Sequence, residues 1–294
     1  MMHHFLRSVG FAGAQTRDEI QRLVGDTVQH ADFVRQAKDA DGISYVLFYK
    51  LYAKNMGLAV CGAMDENDSF FYEYYFPFLY SDGISTAEEI SLDRLSSQVG
   101  YAGLVDETRI GVSLIFYLRN MADYMERLDK KRDALKGASL SLAALSDGGT
   151  ILMPVMKSVK ERNFSRKKAA GRYRLIAAAK KGNEEAMETL TLEDMDTYTA
   201  VSKKIKENDV FTLVDTYFMP FGVECDHYSV LGEIVQCEEV ENIDSKERIC
   251  LMKLLCNDMY FDLCVNTQDL TGEPKKGRRF KGNIWLQGGV NFVD

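Results

Sequence analysis

Apolar residues recur along the chain in short alternating or continuous runs broken by polar turns, and the period of that pattern changes twice. Near the start it is helical. Thr16 stands three positions before Glu19, so the hydroxyl can cap a free first-turn amide while the acid reaches back. The helix this opens runs to about His30, with Ile20, Leu23, Val24 and Val28 on one side. Strand-like sequence follows in Ile43 to Tyr52, Leu58 to Met64 and Phe70 to Phe78, dense in Tyr, Phe, Val and Leu, residue types that pack well on a pleated surface. Asp65-Glu66-Asn67-Asp68 supplies a polar turn between the last two. Thr86 with Glu89 predicts a short second helix, and Tyr101 to Val105 and Ile110 to Leu118 predict another strand pair. A helix is expected near Asn120 to Lys136. Ser139 to Leu145 and Thr150 to Val155 flank Asp147-Gly148-Gly149, which predicts a hairpin because glycine tolerates positive φ.

From Met156 to about Asn208 the strand signal fades, and Ala, Lys, Glu, Met and Arg take over, all good helix formers. Gly182-Asn183 should end one helix and cap the next, and Thr191 with Asp194 should start a third. Strands return from Phe211: Val230 to Cys237, Ile249 to Cys256, Met259 to Val265 and Ile284 to Phe292. Asn257-Asp258 separates two of them as a tight two-residue turn. Strands that run consecutively, without long helices between them, predict an α+β fold. Its parts are an N-terminal helix with a mostly antiparallel sheet over 1–155, a helical connector over 156–210, and a small, barrel-like β-rich unit over 211–294.

Composition narrows the class without naming an activity. The 294 residues are 46% hydrophobic and 27% charged, ordinary values for a folded chain. With 36 Lys and Arg against 44 Asp and Glu the net charge is −8, the wrong sign for a protein whose whole surface binds polyanions. Arg7 interrupts the only apolar stretch of the amino terminus, and no segment offers the ~18 uninterrupted apolar residues of a membrane span. Six cysteines without an export signal suit a reducing compartment, so a cytoplasmic location with no membrane attachment is expected.

Four segments together carry a resemblance. They are Met2-His3 with Phe5-Leu6-Arg7 and Gly10-Phe11, then Leu190 to Tyr198, then Tyr217-Phe218-Met219-Pro220, and Gly277-Arg278-Arg279-Phe280-Lys281-Gly282 running on to Ile284-Trp285-Leu286-Gln287-Gly288. The chain resembles, over essentially its whole length, an uncharacterised family from anaerobic Gram-positive clostridial bacteria. That resemblance implies a bacterial cytoplasmic protein and carries no activity, ligand or catalytic residue.

Two basic clusters stand out in this acidic chain. The first, Lys157 to Lys181, includes Arg172 and Arg174; exposed on a helix it would contact phosphates, and the alternatives are a solvated helix face or one paired with Glu184, Glu185, Glu188, Glu193 and Asp194. The second comprises Lys275, Lys276, Arg278, Arg279 and Lys281, with Trp285 just beyond. Arginine beside aromatic rings suits phosphate contact and base stacking, although Trp285 also fits a core position on an alternating strand. Cys225 and His227, with Cys237, Cys250, Cys256 and Cys264, lack the spacing of a zinc knuckle, so no metal is read from them. The carboxylate pairs Asp194 with Asp196 and Glu224 with Asp226 would matter only where burial splits their pKa values. The aromatic run Phe70 to Phe78 reads as a central strand covered on both faces, or else as an exposed face for a partner. No phosphate loop, nucleophile elbow or helical histidine pair occurs, so no catalytic residue and no cofactor is assigned. The expected function is a non-catalytic binding or assembly module, for a protein partner or for self-association. The alternatives are a nucleic-acid or phosphate-ligand binder using the two basic clusters, and an enzyme with an unrecognised site.

Overall fold

The computed structural model describes residues 3–39, 42–65, 67, 69–95, 100–130, 134–155, 171–172, 174–179, 181–205 and 214–293. Four strands, β1 (Phe33–Lys38), β2 (Ser44–Ala53), β3 (Met56–Met64) and β4 (Phe70–Leu79), form an antiparallel meander in chain order. Helix α1 (Arg17–Gln29) packs on β2 and β3. It begins as expected: the Glu19 amide donates to Thr16 Oγ1 at 3.3 Å, and the Thr16 amide donates to Glu19 Oε2 at 2.9 Å. Asp65 organises the polar turn before β4, its carboxylate accepting from the Asn67 and Ser69 amides.

The second sheet is built on β5 (Ile90–Arg94), β6 (Tyr101–Glu107), β7 (Val112–Leu118), β8 (Ser139–Leu152), β9 (Tyr217–Pro220), β10 (His227–Glu241), β11 (Arg248–Cys256), β12 (Met259–Asn266), β13 (Leu270–Thr271) and β14 (Arg279–Asn291). Five of these close on themselves in the order β8, β12, β11, β10, β14 and back to β8. Every neighbour is antiparallel except the β12–β8 pair, which runs parallel from Asp262↔Ala143 to Val265↔Ser146. Beyond Trp285, β14 exchanges β10 for β7, pairing Gln287 with Tyr117 and Gly288 with Leu118, and so ties β5–β7 to the barrel. Helix α2 (Met121–Lys130) follows β7 directly, and α3 (Glu184–Ile205) lies between β8 and β9 in sequence.

Strands dominate, so the fold is β-rich; the α+β expectation holds only in that helices accompany the sheets. The barrel-like reading of the C-terminal strands agrees with this closure. The barrel also takes β8 from before residue 155, so it draws strands from both sides of that expected boundary. A 3-10 turn, His4–Val9, buries Phe5, Leu6 and Val9 against β8, β12 and β4, joining the four-stranded sheet to the barrel in one hydrophobic core.

Several local expectations change. The hairpin at Asp147-Gly148-Gly149 is instead the middle of one continuous strand, β8, and neither glycine takes a positive φ. Gly149 is there for space: a Cβ on it would meet the Phe280 ring at 2.2 Å. Thr86 starts no helix. It bridges to Leu140 across the sheet, and its hydroxyl accepts from the Glu88 amide. Thr191 lies inside α3, its hydroxyl donating to the Met187 carbonyl at 2.9 Å, so α3 has no break there. The cap before it is Asn183, whose side chain accepts from the Ala186 amide at 2.9 Å, after Gly182 at φ +82°. Asn257 and Asp258, at φ +46° and +64°, make the expected two-residue turn. The aromatic strand β4 is an edge, not a central strand: Phe76 and Phe78 are buried, while Phe71 and Tyr72 at its start are exposed.

Candidate anion-binding cleft

The apolar run that makes β7 ends at Leu118, and the chain turns into α2 through Arg119 and Asn120. The backbone pins that corner from both sides. The Arg119 amide donates to the Gly288 carbonyl at 2.9 Å, and the Arg119 carbonyl accepts from the Tyr49 hydroxyl at 3.0 Å. The Asn120 side chain mimics a strand neighbour of β14, accepting from the Val290 amide and donating to its carbonyl, both at 3.0 Å. Nothing local in this arrangement leaves the Arg119 side chain free to reach solvent.

Arg119 is accordingly only 3% exposed. Its Nη1 donates to the Leu79 carbonyl at the end of β4, and its Nη2 donates to the Ser141 carbonyl of β8 at 3.3 Å. Nε is sealed from solvent and has no acceptor, and among the described residues no carboxylate pairs with this guanidinium. Gly289 makes the fit possible, because a Cβ there would stand 2.7 Å from Nη2. Burial pulls the Arg119 pKa down from 12.5 to about 10, which still leaves it charged near neutral pH. A buried, unpaired charge costs several kcal/mol on the scale of ion desolvation, and such groups are ordinarily paired or bound to a counter-ion.

The side chain lies against a cleft of about 390 Å³ between the four-stranded sheet and the β7–α2 corner. Phe33 and Arg35 of β1, Tyr49 of β2, Tyr80 and Ser81 line one side; Asn120, Asp123, Ser141 and Gly289 to Asn291 line the other. The amino-terminal turn of α2 adds its positive dipole end. Arg35 sits at the mouth, 3.7 Å from Asp123, both about half-exposed. Tyr80, pushed up to about 12 by burial, and Tyr49, raised well above its ordinary value by burial, both keep their protons at neutral pH. The cleft therefore offers donors and ring faces, with one carboxylate at the rim.

A second, smaller cleft of about 120 Å³ has its charges matched internally, with Lys54 on Glu238 at 2.6 Å and Lys253 on Asp262 at 3.4 Å. The described residues of the two basic clusters read from the sequence do not line the Arg119 cleft. In the first, Lys157 to Lys168 and Lys180 fall outside the described residues. Arg174 is exposed, and Arg172 stands 3.9 Å from Glu193, one of the acids expected to meet it. In the second, Lys275 and Arg278 both meet Glu273, at 2.8 and 3.7 Å, and Lys276 is exposed. Lys281 is half-buried on β14. Arg279 is buried, donating to the Met153 and Val214 carbonyls at 3.0 and 2.8 Å. Trp285 is also buried, stacked on Phe5 at 5.8 Å, with Nε1 donating to Asp226 at 2.7 Å.

Asp226 is raised by burial, against the Trp285 hydrogen bond, and exposed Glu224 adds a smaller push in the same direction. The Asp194 and Asp196 side chains fall outside the described residues. Cys250 and Cys256 are buried thiols pushed up to about 12, and Cys225 is exposed. Among the described residues no group of three His, Cys, Asp or Glu is placed to hold a metal, and no helix is long and apolar enough to cross a membrane.

Sequence reasoning passed over Arg119. Its only local signal is a charge directly after an apolar strand and two positions before the start of α2. Burial arises from Leu79, Ser141 and Gly289, none of them near in sequence.

Comparison with known proteins finds one family correspondence to report: residues 6–288 match the family described as a domain of unknown function, E. rectale gene description (DUF3881). This agrees with the clostridial resemblance and spans nearly the whole chain. No curated protein and no solved structure matches.

Proposed function

For a chain that belongs to this family of unknown function, we propose a non-catalytic role as a binding module for a small anion, seated on Arg119 between the sheet and the barrel. The observation that carries the reading is the buried Arg119 guanidinium, charged, paired with no carboxylate among the described residues and lining a cleft of about 390 Å³. That volume lies in the usual range for small-ligand sites, roughly 300–1,000 Å³. A guanidinium fork is also the group best matched to two oxygens of a carboxylate or phosphate. The cleft's phenols hold their protons and its one carboxylate stands at the rim, which suits holding a charge better than moving a proton. The six cysteines are free thiols, consistent with a reducing, cytoplasmic setting for this role.

The test is thermal unfolding in inorganic phosphate, sulfate or acetate against chloride at matched ionic strength. A ligand present at ten times its Kd stabilises by about 1.4 kcal/mol, or roughly 3 °C in Tm for a chain of this size. Wild type should gain that much in at least one oxyanion. Arg119→Lys keeps the charge but loses the fork and should not. Equal response of both proteins to every anion would remove the proposal.

A further inference from the structure

The wall beside Arg119 is aromatic, and its rings are held in order. Phe33 stacks on Tyr49 at 4.8 Å and 11°, and Phe78 backs both Tyr49 and Tyr80 edge-on at 5.5 and 4.8 Å. Tyr49 and Phe78 are buried, so they lock the array from behind. Phe33 and Tyr80, 6.1 Å apart, are only partly covered and line the cleft. Each carries a guanidinium: Arg119 lies 5.3 Å from the Tyr80 ring centre and Arg35 lies 5.7 Å from that of Phe33.

The two cations differ in how they are held. Arg119 is fixed by two carbonyls, whereas Arg35 is half-exposed, donating to the Val34 carbonyl at 3.3 Å and lying 3.7 Å from Asp123 across the mouth. The cleft thus has a fixed charge at its base, a pair of ring faces along its side, and a second planar cation at its entrance. A bare oxyanion would satisfy the first and leave the rest of about 390 Å³ unused.

Building on the anion-binding reading above, we infer that the ligand is a ring-bearing organic acid. Its carboxylate or phosphate sits on Arg119, its ring lies against Phe33 and Tyr80, and Arg35 closes over the ring's outer side. Ring faces prefer offset stacking or edge contact with other rings, and guanidinium planes stack on them equally well. The specificity therefore lies in the pairing of a charge with a flat apolar body, rather than in the charge alone.

Titration calorimetry on the full chain separates the two ideas. The probes are methyl phosphate against phenyl phosphate, and acetate against benzoate. The phenyl member of at least one series should bind roughly ten-fold more tightly than its methyl counterpart, the ratio expected for one good aromatic contact. In Phe33→Leu or Tyr80→Leu, which keep apolar bulk, that ratio should fall toward one while binding of the methyl member persists. The wild-type ratio stands by itself should either variant not fold. Equal affinity of methyl and phenyl members in both series overturns the ring inference and leaves anion binding at Arg119 intact. No binding of any probe at millimolar concentration overturns both.

Discussion

The guanidinium of Arg119 rests 5.3 Å from the centre of the Tyr80 ring while its two Nη atoms hold carbonyls of different sheets, Leu79 on β4 and Ser141 on β8. One side chain thus spans the seam between the four-stranded sheet and the barrel and presents its charge to the cleft that opens there. The same burial that makes it a clamp leaves it, among the described residues, without a carboxylate in ion-pair range.

Gly289 sets how closely β14 approaches that clamp. Gly289→Ala would bring a methyl to about the 2.7 Å at which a Cβ meets Nη2. The neighbour is the far end of a side chain, so the guanidinium should shift, at a cost of about 1–3 kcal/mol for overpacking. Oxyanion affinity should fall together with stability, as read from a urea midpoint and a titration on the same sample. Gly13→Ala, where nothing lies within 4 Å, should move neither.

Arg279 and Lys276 come from one basic stretch and should behave oppositely. Arg279 is buried on two carbonyls, so Arg279→Met leaves the Met153 and Val214 oxygens without those donors and should cost about 2 kcal/mol of folding stability. Exposed Lys276→Glu should stay within about 0.5 kcal/mol of wild type. Chemical denaturation of the two variants decides whether that stretch acts as interior or as surface.

Acid should weaken the fold through His3. Burial, with His227 and His4 adding to it, holds this imidazole at about 4 instead of 6.5, and its Nδ1 has no partner. The unfolded chain takes up the proton between those two values and the folded chain does not. Stability that is whole above pH 6.5 is therefore lost as the pH falls toward 4, by about 3 kcal/mol in all. Asp226, raised by burial, acts in the opposite sense at the acid end, because the folded chain keeps its proton to higher pH than the unfolded chain does. Urea midpoints measured across that range should slope downward in wild type and flatten in His3→Phe. An unchanged slope in the variant would assign the acid sensitivity to other groups.

The elements legible in the sequence were those whose signal is local. The Thr16–Glu19 capping box, the Asn257-Asp258 turn and the apolar runs of β2, β10 and β11 need only a few neighbouring residues to declare themselves. The failures share the opposite property. Asp147-Gly148-Gly149 has turn chemistry, yet Gly149 makes room for a ring from β14, more than a hundred positions away, and β8 runs on through the segment past a register shift against β14. Nothing near β8 announces its parallel partner β12. Trp285 is legible as a core position because its pattern is local, whereas Arg279 on the same strand is buried against the usual exposure of charge. Arg119 is the extreme case: its burial, its acceptors and its cleft all come from residues the chain brings together only on folding.

Side-chain NMR of the arginine guanidinium groups, with the Arg119 signal assigned by its loss in Arg119→Lys, tests the central claim most directly. On titration with phenyl phosphate the Arg119 resonance should shift and saturate, while that of buried Arg279 stays still. An Arg119 resonance that does not move while exposed arginines such as Arg174 drift with added salt would contradict the account.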